Sequence, residues 1–123
     1  MTSSYRQFCP VAMAAEILSK RWTLLVLREL IAGSTRFNEL RRGVPRMSPT
    51  LLSARLKELE ASGILRILLD SAGPGQNEYS LTESGRDLAA VIESVGVWGQ
   101  RWIEADLSLD NLDPALLMWD MRR

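Results

Sequence analysis

Histidine is absent from this 123-residue sequence and cysteine occurs once, at Cys9. One thiol cannot build an internal disulfide framework. Zinc lacks its usual set of imidazole and thiolate ligands, so no metal is expected. A Ser–His or Cys–His pair is impossible within one chain. No nucleophile beside a partnering base and no metal-ligand cluster is visible, so neither an enzyme nor a cofactor is expected. No apolar run approaches the roughly 20 residues that a bilayer span requires. The opening stretch MTSSYRQFCP holds no apolar signal core. The expectation is a cytoplasmic protein without a membrane partner. Internal repeats and low-complexity tracts are missing as well.

What is present is ordinary globular material, 46% hydrophobic and 24% charged, in a length that suits one domain with a real core. The formal net charge of zero hides a segregation. Residues 1–69 carry 11 Lys and Arg against 5 Asp and Glu, whereas residues 70–123 carry 4 against 10. A basic front and an acidic back suit a protein that lays one side on a polyanion.

Punctuation along the chain divides it into short elements. Cys9-Pro10 opens a first helix over 10–20, with Pro at the favoured first position and an apolar stripe of Val11, Ala14, Ala15 and Leu18. A second helix over 22–32 is apolar nearly all round and is expected to be the most buried; Gly33 ends it. NELRR, residues 38–42, forms a short third helix that GVPRM breaks. Ser48 caps a fourth, with Pro49 at its first position and Gly63 as its stop. Two apolar runs, 65–69 and 78–81, flank the Gly- and Pro-rich DSAGPGQN and predict a hairpin. Thr82 caps a long helix running to about Asp106. On it Leu88, Val91 or Ile92, Val95, Trp98 and Trp102 step by threes and fours, a heptad-like seam suited to another helix. Gly96 and Gly99 beside it allow close approach.

The order helix, helix, short helix, turn, capped helix, hairpin, long helix predicts a mainly α fold with a small β-hairpin, a winged helix-turn-helix. The fourth helix, MSPTLLSARLKELEASGIL with its flanks, carries the chemical argument. Leu52, Leu56 and Leu59 make one buried stripe. Thr50, Ser53, Ala54 and Lys57 lie away from it. Those chains are short and mildly basic, whereas a solvated helix back usually carries several long charged residues. Short side chains near a helix N-terminus allow close approach to base edges in the major groove. With Ser48, they form the candidate base-reading face. Arg55 on its flank, and Arg41, Arg42 and Arg46 around the turn, are candidates for neutralising phosphates. The alternative is a winged helix used only for protein contacts, with the 48–57 face docking another protein.

Four segments, CPVAMAAEILSKRWTLLVLREL, RFNELRR, MSPTLLSARLKELEASGIL and EYSLTESGRDL, resemble the HxlR family of bacterial transcription regulators, over residues 7 to 103. The resemblance implies a homodimeric, sequence-specific DNA-binding repressor or effector-responsive switch. Its N- and C-terminal helices, here 10–20 and 83–105, would build the dimer, with Val11, Leu18, Val95, Trp98 and Trp102 in the interface. Such a twofold dimer reads a pseudo-palindromic double-stranded operator, and an unknown small-molecule effector is a candidate partner. In similar regulators a cysteine at the place of Cys9 senses oxidants or electrophiles, which makes Cys9 a candidate redox sensor. Similar proteins carry an arginine in the wing, in a stretch like PPRVEY. Here PGQNEY puts Gln76 and Asn77 there, so the wing contact is expected to be weakly charged. Residues 1–106 are assigned to the DNA-binding domain with its dimerisation helices. Residues 107–123 are a helical tail or the start of a linker, similar to that of longer relatives with an appended sterol-carrier-like domain.

Overall fold

A computed structural model describes residues 4–69 and 77–103. The helices are α1 (Pro10–Leu18), α2 (Thr23–Ile31), α3 (Phe37–Gly43), α4 (Pro49–Ala61) and α5 (Glu83–Trp102); β1 (Leu65–Leu68) and β2 (Glu78–Leu81) lie between α4 and α5. This is the predicted winged helix-turn-helix order. Gln76 and the 107–123 tail lie outside the described residues.

Local chemistry explains the borders of α4. The Ser48 hydroxyl accepts the Leu51 N–H at 3.1 Å, and Pro49 follows where its missing N–H is harmless. At the other end Gly63 takes φ +76°, which an L side chain resists. The Gly63 N–H then reaches the Glu60 carbonyl at 3.0 Å and the Ile64 N–H reaches Leu59 at 2.9 Å. Those two bonds make a Schellman stop. They turn the chain straight into β1, which pairs antiparallel with β2 in the register Leu65↔Leu81 to Leu68↔Glu78. A bond from the Tyr79 N–H to the Thr35 carbonyl, 2.8 Å, and a bridge between Arg36 and Glu78 fasten the hairpin to the segment before α3.

The core gathers around α2, as its apolar sequence predicts. Val26, Leu27 and Leu30 meet Leu40 of α3, Val44 and Met47 of the turn, the α4 stripe, Ile64, Leu65 and Tyr79. The prediction of an apolar helix all round holds only in part. Leu25 is exposed, and Glu29 is fully buried. A buried carboxylate must be paired. Glu29 Oε2 accepts from Arg28 Nε at 2.8 Å, and Arg28 Nη2 also donates to the Gly43 carbonyl at 3.0 Å. A Cβ at Gly43 would fall 1.9 Å from Glu29 Oε1. The end of α3 therefore seats on the Glu29 side chain, and only glycine permits that approach.

Two expected faces differ from those observed. Spacing puts the α1 stripe at Val11, Ala14, Ala15 and Leu18, but no residue of α1 is buried; Val11 is turned to solvent, while Ile17 and Leu18 pack on the core edge. A nine-residue helix offers two overlapping stripes, and tertiary packing chose the one through Ile17. On α5, Leu88 and Ile92 pack inward, whereas Val91, Val95, Trp98 and Trp102 face outward. Every residue from Glu93 to Trp98 is exposed.

Candidate nucleic-acid interface

The α4 helix is seated by its underside. Leu52, Leu56 and Leu59 are 1–2% exposed, and burying each such side chain is worth about 1.5–3 kcal/mol. This seating leaves the opposite side open: Thr50 and Lys57 are exposed, and Ser53 and Ala54 are half-buried beside them. The Ser48 oxygen is engaged as the cap by one N–H, which leaves its hydroxyl proton and a second lone pair for any further contact.

Charge is sorted around this face. Both carboxylates on the flanks of α4 are hydrogen-bonded within the protein, and Glu60 lines one groove with Ser53 and Lys57. Glu58 accepts from Arg55 Nη1 at 3.1 and 3.3 Å and lies 3.3 Å from Lys20 Nζ. Glu60 accepts the Ile67 N–H of β1 at 3.1 Å. Lys57 is the basic residue of this face, in one groove with Ser53 and Glu60. Arg41, Arg42 and Arg46 are exposed at the end of α3 and in the turn, where buried Val44 and Met47 anchor the backbone between them. The positive end of the α4 helix dipole points the same way. The arrangement suits an elongated polyanion whose edges offer hydrogen-bonding groups.

Two predicted contacts are engaged elsewhere. Arg55, assigned to a phosphate on the flank, donates from Nε to the Arg21 carbonyl at 3.0 Å as well as to Glu58, and its side chain is only 17% exposed. Position 55 sits nearer the buried stripe than position 57 does, so the long chain is drawn inward. Asn77, assigned to the wing contact, hydrogen-bonds the Tyr79 side chain. Burial raises the pKa of that phenol, and the Asn77 bond opposes the rise. Spacing gives Glu29 and Glu58 no role, and marks Gly43 only as the start of the segment that breaks α3, of which it is the last residue. The one available signal was a glutamate inside an apolar helix.

The expected dimer residues fall into two groups. Val11, Val95, Trp98 and Trp102 are exposed, together with Phe8 and Met13, whereas Leu18 is half-buried against its own core. Cys9 is the exposed N-cap residue of α1. Among the described residues no cluster of His, Cys, Asp or Glu could hold a metal, and no helix is long and apolar enough to cross a membrane.

Comparison with known proteins places these features in a family. The HxlR-like helix-turn-helix model matches residues 17–107. The helix-turn-helix-type transcriptional regulator YvaP of Bacillus subtilis is 39% identical over 99 residues, which are 80% of this chain and 92% of that protein. Among solved structures, the redox regulator HypR in its reduced form superposes with a TM-score of 0.69 at 35% identity, covering 75% of this chain and 91% of that one. The reduced form of the transcriptional regulator YodB from Bacillus subtilis gives 0.66 at 34% identity, covering 81% and 100%.

Proposed function

The chain belongs to the HxlR-like helix-turn-helix family of DNA-binding transcription regulators, and from that premise we propose that α4 reads base edges in the major groove as one half of a homodimer. The observation that carries this reading is the sorting on α4: short side chains and Lys57 on one face, with both flanking carboxylates hydrogen-bonded to other groups of the protein. Thr50, Ser53 and Ala54 would approach the bases. Lys57, Arg41, Arg42 and Arg46 would meet phosphates, and the β1–β2 wing would lie against the neighbouring backbone.

The dimer reading rests on α5. Val91, Val95, Trp98 and Trp102 line one exposed face, and aromatic anchors of this kind dominate helix–helix interfaces. Gly96 and Gly99 each weaken a helix interior by about 0.8–1 kcal/mol against Ala. Among the described residues nothing lies within 4 Å of a Cβ at either, which leaves room for a second backbone there. A second copy related by a twofold axis would place two α4 helices about one duplex turn apart and require a pseudo-palindromic operator in the cytoplasm. Cys9, exposed at the start of α1, is the proposed entry point for an oxidant or electrophile, in keeping with the redox regulator among the similar structures. Full modification of Cys9 by diamide should change the gel shift of the bound duplex; unchanged affinity would remove Cys9 from the account.

The test is duplex binding across a salt series. Log affinity should fall linearly with log salt, with a slope of about −0.9 per phosphate neutralised. Sequences selected from a random duplex library should show two related half-sites. Absence of duplex binding at low salt would instead favour a winged helix that docks proteins.

A further inference from the structure

The α4 helix leans on α2 and on the link before it through more than its leucines. The link is conformationally demanding: Trp22 adopts φ 77°, a region that a bulky residue enters only when its surroundings hold it there. The Arg21 carbonyl, one residue earlier, accepts from Arg55 Nε at 3.0 Å. The same guanidinium donates to both oxygens of Glu58, at 3.1 and 3.3 Å. Glu58 in turn faces Lys20 Nζ at 3.3 Å. Residues 55 and 58 are one turn apart on α4, and residues 20 and 21 are adjacent at the end of the first helical segment. Two successive turns of α4 are thus tied to two successive residues of the α1–α2 junction.

An apolar stripe fixes the depth of a helix but lets it roll and slide by small amounts. Directional bonds fix its roll. Arginine suits that task because its planar fork serves a carbonyl and a carboxylate at once. We propose that Arg55 and Glu58 are positioning residues, which lock the roll of α4 against the Lys20–Arg21 junction so that Thr50, Ser53 and Ala54 meet the base edges and Lys57 the backbone. Arg55 then touches protein and not phosphate. The inference rests on α4 being the DNA-reading helix. Lys20 and Arg21 follow the C-cap Ser19, so the clamp joins α4 to the segment between α1 and α2.

The clamp and the phosphate contact differ in sign and in salt dependence. The experiment uses the full chain and the duplex that the wild type selects from a random library, with a scrambled duplex of equal length, in a salt series and at a temperature where far-UV circular dichroism shows each variant folded. If Arg55 is a clamp, Arg55→Lys and Arg55→Gln each weaken binding to the selected duplex by about tenfold. The gap between selected and scrambled duplex narrows, and the salt slope stays at the wild-type value. Glu58→Ala, which suits a helix, weakens the selected duplex too, although it deletes a negative charge. A different set of results overturns the proposal. Arg55→Lys binding like wild type, with Arg55→Gln losing about one phosphate from the salt slope, would return Arg55 to the backbone. Glu58→Ala binding more tightly would make Glu58 a repelling charge only. Wild-type affinity in all three variants would refute the clamp while leaving DNA reading intact. A wild type that selects no duplex would remove both.

Discussion

Two apolar stripes run along two helices of this chain at similar spacing, and they meet opposite fates. On α4, Leu52, Leu56 and Leu59 are 1–2% exposed. On α5, Val91, Val95, Trp98 and Trp102 are 41, 47, 60 and 68% exposed. Periodicity reports that a helix has an apolar side; it does not report which surface covers it. For α4 the cover lies in the same chain, supplied by α2, the turn and the hairpin. For α5 the proposed cover is the same face of a second copy. The charged residues follow the same division. On α4 the carboxylates lie on the flanks and leave a mildly basic face, whereas the outer half of α5 exposes its apolar face, with the Arg101 guanidinium over the Trp102 ring at 5.7 Å.

The comparison can be broken from either side. The largest effect is expected under α4. Leu56→Ala removes a fully buried side chain and should cost about 2–5 kcal/mol of unfolding free energy, read as a fall in denaturant midpoint against wild type at the same protein concentration. Truncating the α5 seam should do the reverse. Trp98→Ala with Trp102→Ala should weaken the dimer by at least about 2 kcal/mol, or thirtyfold in dissociation constant, in sedimentation equilibrium. The α4 domain should keep its circular dichroism signal. A double variant that unfolds outright, or that associates as before, would place the tryptophans in intrachain packing.

A subtler perturbation separates helix stability from dimer contact. Gly96→Ala and Gly99→Ala should each favour the helix by about 0.8–1 kcal/mol and still weaken association if a second backbone approaches there. Tighter association in both would remove the close-approach role. The smallest effect belongs to the DNA-facing side. Lys57→Ala should leave stability and dimer unchanged and lower the salt slope of duplex binding by about one. An unaltered slope would move Lys57 off the phosphate backbone.

The borders of α4 were legible because each depends on residues within a turn: Ser48 and Pro49 at one end, Gly63 and Ile64 at the other. The hairpin and the inner stripe were legible for the same reason. Glu29 against Gly43 was not, since the fit joins residues on different helices and no local pattern announces it. Arg55 shows the same limit. Its place on the flank of the helix could be read from spacing, but the exposed carbonyl of Arg21 that draws it inward exists only in the fold. On α1, spacing supported two stripes, and contact with the core decided between them. Sequence located the candidate interface by helix and by face. Which long side chains on its edge turn outward was settled by acceptors that spacing cannot reveal.

The central claim is that the face of Thr50, Ser53, Ala54 and Lys57 reads DNA. Its most direct test is a comparison of the duplexes selected by the wild type with those selected by Thr50→Ala and Ser53→Ala variants. Each substitution should relax preference at one defined position, mirrored in both half-sites, at a cost of about 1–3 kcal/mol for the original base. Unchanged consensus sequences in both variants would contradict it.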